Sequence, residues 1–208
     1  LAPFPRTRYA IKKHIQEYYA IITHLDVQIG EILDQLEKSG KMENTYIFFT
    51  ADHGLAMGRH GLLGKQNMFD HSIRPPLMVM GPDIPEGQKI EADVYLQDIM
   101  ASSLELAGID QPDYVEFNSF IDLAKGDRTS SYYESIYGAY LKVQRMIRKD
   151  NYKLIVYPNI KKSLLFDLSK DPEEMTDLSE LPEYSKKLRE MQKALTVLQK
   201  EMGDDLDI

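Results

Sequence analysis

The chain has 208 residues, 43% of them hydrophobic and 28% charged, enough for one substantial core or a core with a small appended layer. A net charge of -8 argues against nucleic acid and anionic membranes as partners, since both are recognised through basic surfaces. With no cysteine the chain can form no disulfide, thiolate zinc site or cysteine nucleophile, and no run of about 18 apolar residues offers a membrane span.

The opening Leu1-Ala2-Pro3-Phe4-Pro5 lacks the charged start and apolar run of a signal peptide, and a start without methionine predicts a piece of a longer protein. Ile11, Ile15, Tyr18, Tyr19, Ile22, Leu25, Ile29, Ile32, Leu33 and Leu36 recur at steps of three and four. They predict one long amphipathic helix that ends near Ser39-Gly40. Thr45-Tyr46-Ile47-Phe48-Phe49-Thr50 is a continuous β-branched and aromatic run, expected for a strand covered on both faces, and Pro76-Leu77-Met78-Val79-Met80 is a second strand stopped by Gly81-Pro82. Leu96, Ile99, Met100, Ser103, Leu104 and Ala107 form another helix face, closed by Gly108. This order predicts an α/β fold with a mainly parallel sheet flanked by helices. From about Ser131 short tyrosine-rich runs alternate with the turn signals Asp150-Asn151 and Pro158-Asn159, which predicts a small antiparallel sheet. Leu181, Tyr184, Leu188, Met191, Leu195 and Leu198 mark a terminal helix, so the expected organisation is 1–130 for the α/β part and 131–208 for the sheet with its helix.

Residues 51–75, between the two buried strands, are rich in glycine, histidine and charge and show no apolar periodicity. A long irregular connection of that kind is usually functional or disordered. Asp52 and His53 follow directly on the carboxyl end of the first strand, the edge at which open α/β sheets bind ligands, and Gly54 permits a sharp exit. Both residues are competent metal ligands. The plain alternative is that Asp52 caps a turn and His53 is a satisfied polar side chain. Gly58-Arg59-His60-Gly61-Leu62-Leu63-Gly64-Lys65 adds His60 and an ammonium at Lys65 among three glycines; Lys65 suits an oxyanion such as sulfate or phosphate, or is simply solvated. The glycine spacing is not that of a Walker loop.

Together, Tyr18-Tyr19-Ala20, Leu25-Asp26, Gly30, Thr50-Ala51-Asp52-His53-Gly54 and Gly64-Lys65-Gln66-Asn67-Met68-Phe69-Asp70-His71-Ser72-Ile73-Arg74-Pro75-Pro76-Leu77 resemble, in order and spacing, the second half of the sulfatase family in the alkaline-phosphatase-like superfamily. Asp98-Ile99 with Leu104–Ile109, Arg145–Arg148, Tyr152-Lys153-Leu154, Leu165–Leu168 and Asp171-Pro172-Glu173-Glu174 extend the likeness to about Leu178. The resemblance implies a partial alkaline-phosphatase-like fold and hydrolysis of a sulfate ester, on a sulfated small molecule or carbohydrate, by a formylglycine hydrate beside a divalent cation that is commonly calcium. Carried over by position, Asp52 and His53 would be metal ligands, Lys65 would hold a sulfate oxygen in a catalytic role, and His60 would line the pocket as a second catalytic candidate. Asp70, His71 and Arg74 are expected to orient the loop.

Two departures qualify it. No Cys or Ser stands before x-Pro-x-Arg, so the nucleophile motif and the family's early metal-binding aspartates are expected in an N-terminal half that this chain lacks, and the chain alone is expected to be inactive. Many relatives carry Asn where His53 stands, which leaves zinc and manganese open beside calcium. An apolar patch facing the absent half, with a tendency to self-associate, is expected as well. Competing readings are a metal-dependent phosphoesterase or phosphonate monoester hydrolase of the same superfamily, and a non-catalytic carbohydrate-binding module. Relatives in bacteria are often exported, which makes a periplasmic or exported protein the leading expectation for localisation.

Overall fold

The computed structural model describes Phe4 and residues 6–208; the reading of the N-terminus as no signal peptide rests on Leu1, Ala2, Pro3 and Pro5, which lie outside the described residues. In chain order the main elements are α1 (Arg8–Lys38), β1 (Ile47–Thr50), α2 (Asp70–Ile73), β2 (Leu77–Met80), α3 (Asp98–Leu106), α4 (Ile121–Lys125), β3 (Ile136–Tyr140), β4 (Gln144–Lys149), β5 (Tyr152–Tyr157), β6 (Lys162–Asp167) and α5 (Ser185–Glu201). The chain divides into two compact units. One comprises Leu1–Gly64, Pro75–Ala92 and Leu96–Ser130; the other comprises Lys65–Arg74, Asp93–Tyr95 and Ser131–Ile208.

In the first unit, α1 opens where the Thr7 hydroxyl accepts a hydrogen bond from the Ala10 amide at 3.2 Å and closes at Ser39, as the spacing predicts. None of its residues is buried, and Tyr19, Ile21, Leu25, Val27 and Ile32 are each more than half exposed. α3 ends at Gly108 in a left-handed cap, with the Ile109 amide returning to the Leu104 carbonyl at 3.0 Å. The buried Ser102 hydroxyl donates to the Asp98 carbonyl and accepts from the Phe120 amide at 3.0 Å. Phe120 meets Phe48 of β1 edge to face, with ring centroids 5.9 Å apart.

β1 and β2 pair antiparallel, Ile47 opposite Met80 and Thr50 opposite Leu77, as a two-stranded sheet. This departs from the expected mainly parallel sheet. Parallel neighbours need a crossover of a dozen or more residues, usually a helix, and between these strands the only α-helix among the described residues is the four-residue α2. Nor is either strand covered on both faces: β1 is half-buried throughout, and β2 alternates, with Met78 and Met80 exposed. The coarser prediction of mixed α/β with a small antiparallel sheet and a terminal helix describes what is present.

The second unit is built around the antiparallel sheet β3-β4-β5-β6. Asp150 and Asn151 both take positive φ in the two-residue connection between Lys149 and Tyr152, the backbone that a type I′ hairpin requires. Ile147, Leu154, Val156 and Leu165 of the sheet form one core with Leu178 and with Met191 and Leu195 of α5. Met191 and Leu195 belong to the apolar periodicity that predicted the terminal helix.

Beyond α5 the tail is pinned by charge. Asp204 accepts hydrogen bonds from the buried Arg145 guanidinium and from the Tyr137 hydroxyl. The Arg145 contact holds the Asp204 carboxyl well below the usual carboxylate range, while burial and then Asp204 push the Tyr137 phenol up. A lowered acid value means that this contribution to stability is present above the ordinary aspartate range and is lost as pH falls through the folded value. Asp204→Asn is therefore expected to cost about 1.5–3 kcal/mol at pH 7, with the deficit shrinking in urea titrations at about pH 3.

Candidate functional site

β1 delivers the chain into Asp52 and His53 at its carboxyl end. Asp52 is exposed, its side chain 81% accessible, and His53 is part-buried at 29%. The Asp52 carboxylate turns back on its neighbour: Oδ1 accepts from the His53 amide at 3.0 Å, and Oδ2 lies 3.2 Å from His53 Nε2. His53 Nδ1 is 3.0 Å from the Gly54 carbonyl oxygen. A carbonyl only accepts, so Nδ1 carries the proton there and Nε2 is the nitrogen with the lone pair in the neutral ring. Nε2 and Oδ2 are then two acceptors side by side, an arrangement made favourable by a proton or a cation between them. Ligands about 2.0–2.5 Å from an ion and at about a right angle lie about 3–3.5 Å from each other, the separation found. A ring nitrogen tied to a backbone carbonyl is also how metal-ligating histidines are oriented. The pair thus fits two positions of a divalent-cation sphere. Among the described residues no group of three or more His, Asp or Glu side chains is gathered as a metal site.

Downstream of the pair the loop closes on itself, with the Ala56 amide donating to the Gly64 carbonyl and the Gly58 amide to the Leu62 carbonyl at 2.7 Å. Gly58, at φ 101°, passes so close to Ile11 of α1 that a Cβ would lie 2.5 Å from its Cγ2, so the position takes glycine for both backbone and space. His60 is half-buried in the one-turn Arg59–Gly61 segment at φ 51°, a left-handed conformation that histidine adopts more readily than most non-glycine residues.

Lys65 belongs to the second unit, as do Asp70, His71 and Arg74. Its side chain is exposed, and its carbonyl accepts from the Asn67 amide at 2.8 Å. The segment that follows is buried at Asn67, Met68 and Phe69. Asp70 pairs with the fully buried Lys153, and Arg74 reaches the other Asp70 oxygen at 3.7 Å. His71 stacks on Phe69, which packs on Phe166. The architectural role expected of Asp70, His71 and Arg74 agrees with these contacts. Sequence reading missed Lys153 and Glu174 as partners of Asp70. The available signal was a lysine embedded in the apolar run Tyr152-Lys153-Leu154-Ile155-Val156, at a position where a solvated ammonium is not expected.

Two family models match the chain, one described as Sulfatase over residues 3–109 and one described as N-sulphoglucosamine sulphohydrolase, C-terminal, over residues 58–201. The chain belongs to the sulfatase family. It is 32% identical over 209 residues to arylsulfatase K of Xenopus laevis, covering 93% of this chain and 38% of that protein. It is 30% identical over 206 residues to an N-acetylglucosamine-6-O-sulfatase of Bacteroides thetaiotaomicron, covering 93% and 37%. A solved structure of a protein in complex with its substrate, D-glucosamine-2-N,6-O-disulfate, is similar with a TM-score of 0.87 at 26% identity, covering 95% of this chain and 43% of that one. The phosphonate monoester hydrolase of Agrobacterium radiobacter, with a TM-score of 0.78 at 24% identity over 88% of this chain and 40% of its own, shares the fold alone. The chain spans about two fifths of the length of these curated relatives.

Proposed function

We propose that the chain is the C-terminal part of a sulfuric ester hydrolase, in which Asp52 and His53 hold a divalent cation and Lys65 holds an oxygen of the sulfate. The observation that carries this is the Asp52–His53 pair, set 3.2 Å apart at the end of β1 with its imidazole oriented by the Gly54 carbonyl, in a chain of this family. A cation bound there would draw charge from the sulfate oxygens and favour attack at sulfur. The Lys65 ammonium offsets the negative charge that grows on the sulfuryl and leaving oxygens, and His60 is the second candidate for a catalytic role. Calcium is the proposed ion; the single imidazole leaves zinc and manganese for metal analysis to distinguish.

The family in general uses a divalent metal and a formylglycine nucleophile. This chain has no cysteine and no serine in the required motif, so the nucleophile, the remaining metal ligands and the strands that would make the sheet mainly parallel are proposed to come from the rest of a longer protein. The exposed stripe of α1 and the half-buried β1 support such a covering layer. When the chain is alone in solution, the same surfaces are where copies associate, which light scattering detects. The disulfated glucosamine bound by the similar structure supports a sulfated carbohydrate as substrate class. Parallel assays of the full-length protein on a sulfated glucosamine, an aryl sulfate and an aryl phosphate test the reading. Turnover of the sulfates is expected, and turnover of the phosphate alone would replace it with the phosphoesterase reading.

A further inference from the structure

The segment that carries Lys65 is fastened at several points within its own unit. The Lys153 ammonium of β5, fully buried, donates to the Asp70 carboxylate and to the Met68 carbonyl at 3.3 Å, and its third neighbour is Glu174 Oε1, an ion-pair partner at 2.5 Å. Glu174 completes the ring by accepting the Asp70 amide on Oε2 at 2.7 Å. Beside it the Gln144 side chain of β4 donates to the Gln66 carbonyl at 3.2 Å. Residues 66, 68 and 70 are thereby held to two adjacent strands, immediately after Lys65 in the chain.

A lysine and two carboxylates in the interior are a costly way to join a loop to a sheet, and apolar side chains of the same volume usually do as well for stability. Glu174 adds to that cost, since it holds a left-handed backbone at φ 58° and burial pushes its carboxyl up against the pull of Lys153. What the ionic ring supplies and apolar packing would not is a directional fix on backbone atoms. We propose that Lys153, with Asp70 and Glu174, is a positioning set that fixes the 66–70 backbone and so aims the Lys65 ammonium at the sulfate. This rests on the proposed role of Lys65. Lys153 is a positioning residue and touches no reacting atom.

The test is a double-mutant cycle in the full-length protein with an aryl sulfate as substrate. Lys153→Met combined with Glu174→Gln removes the ammonium without leaving a buried charge opposite it at Glu174. This variant is expected to lose about 10-fold to 100-fold in kcat with a smaller change in KM, as misplacement of a catalytic group does. Adding Lys65→Ala to it should cost much less than Lys65→Ala costs in the unaltered protein, because a misdirected ammonium has little left to lose. Should the double variant fail to fold, Asp70→Asn weakens one contact and leaves the other two, and a smaller loss with the same non-additivity is expected. Amide exchange of residues 66–70 in the full-length protein provides a readout apart from activity, and it should quicken in either variant while β5 and β6 amides keep their protection.

Fully additive losses, or 66–70 amides that exchange at the unaltered rate, would overturn the positioning role while leaving the sulfatase reading intact. If Lys65→Ala changes nothing in the unaltered protein, the role of Lys65 falls and this inference falls with it.

Discussion

Replacing Lys65 with alanine in the full-length protein is expected to lower kcat on a sulfate ester by about 10²-fold or more, with the melting temperature nearly unchanged. The two halves of that expectation have separate causes. Stability is spared because the side chain is exposed and the local fold depends on its neighbours: Asn67, Met68 and Phe69 are buried, and Asp70 is tied to Lys153. Turnover suffers because a fixed positive charge aimed at oxygens that become more negative in the transition state acts mainly on the barrier. Lys65→Arg is a useful control, since it keeps the charge but spreads it over a longer planar group, and should recover only part of the rate. Steady-state kinetics beside a thermal melt check both halves, and a loss confined to KM would mean that the ammonium binds substrate without favouring its transition state.

Asp52→Ala is expected to do more, lowering kcat by about 10³-fold and releasing most of the bound divalent ion. The several kcal/mol that a Lewis-acidic cation supplies converts at about 1.4 kcal/mol per decade of rate. The same substitution leaves His53 Nε2 without the carboxylate 3.2 Å away and deletes one of the two donors proposed for the ion. His53→Ala should also weaken metal retention, though less, because a neutral imidazole contributes no charge to the attraction. Since Asp52 is exposed, neither change should unfold the protein. Metal content by elemental analysis and kcat are the paired measurements, and treatment with a chelator followed by calcium should reproduce and then reverse the loss.

The sequence made some of this legible and concealed the rest for physical reasons. The three-and-four spacing from Ile11 to Leu36 gave α1 its position and its end at Ser39 because helix periodicity is local. Asp150-Asn151 foretold a tight hairpin because both residues tolerate positive φ. The direction in which β1 meets β2 was not readable: apolar runs announce strands without saying how they pair, and the intervening loop proved not to contain a crossover helix. The Asp52–His53 address was visible from its place after a strand, whereas the ring-nitrogen assignment that favours a cation required the Gly54 carbonyl at 3.0 Å. Lys153 and Glu174 appeared in the sequence only as members of a pattern. Their pairing with Asp70 joins segments far apart in the chain, and no local signal encodes such a contact.

The central proposal is that Asp52 and His53 hold a cation and that Lys65 holds an oxygen of the sulfate. The most direct measurement is a crystal structure of the full-length protein grown with calcium and a sulfate ester or its sulfate product. The account predicts a cation ligated by an Asp52 oxygen and His53 Nε2, with Lys65 Nζ within hydrogen-bonding distance of a sulfate oxygen beside that cation. An ion bound elsewhere, or a Lys65 side chain directed away from the anion while Asp52 and His53 ligate the metal, would contradict it.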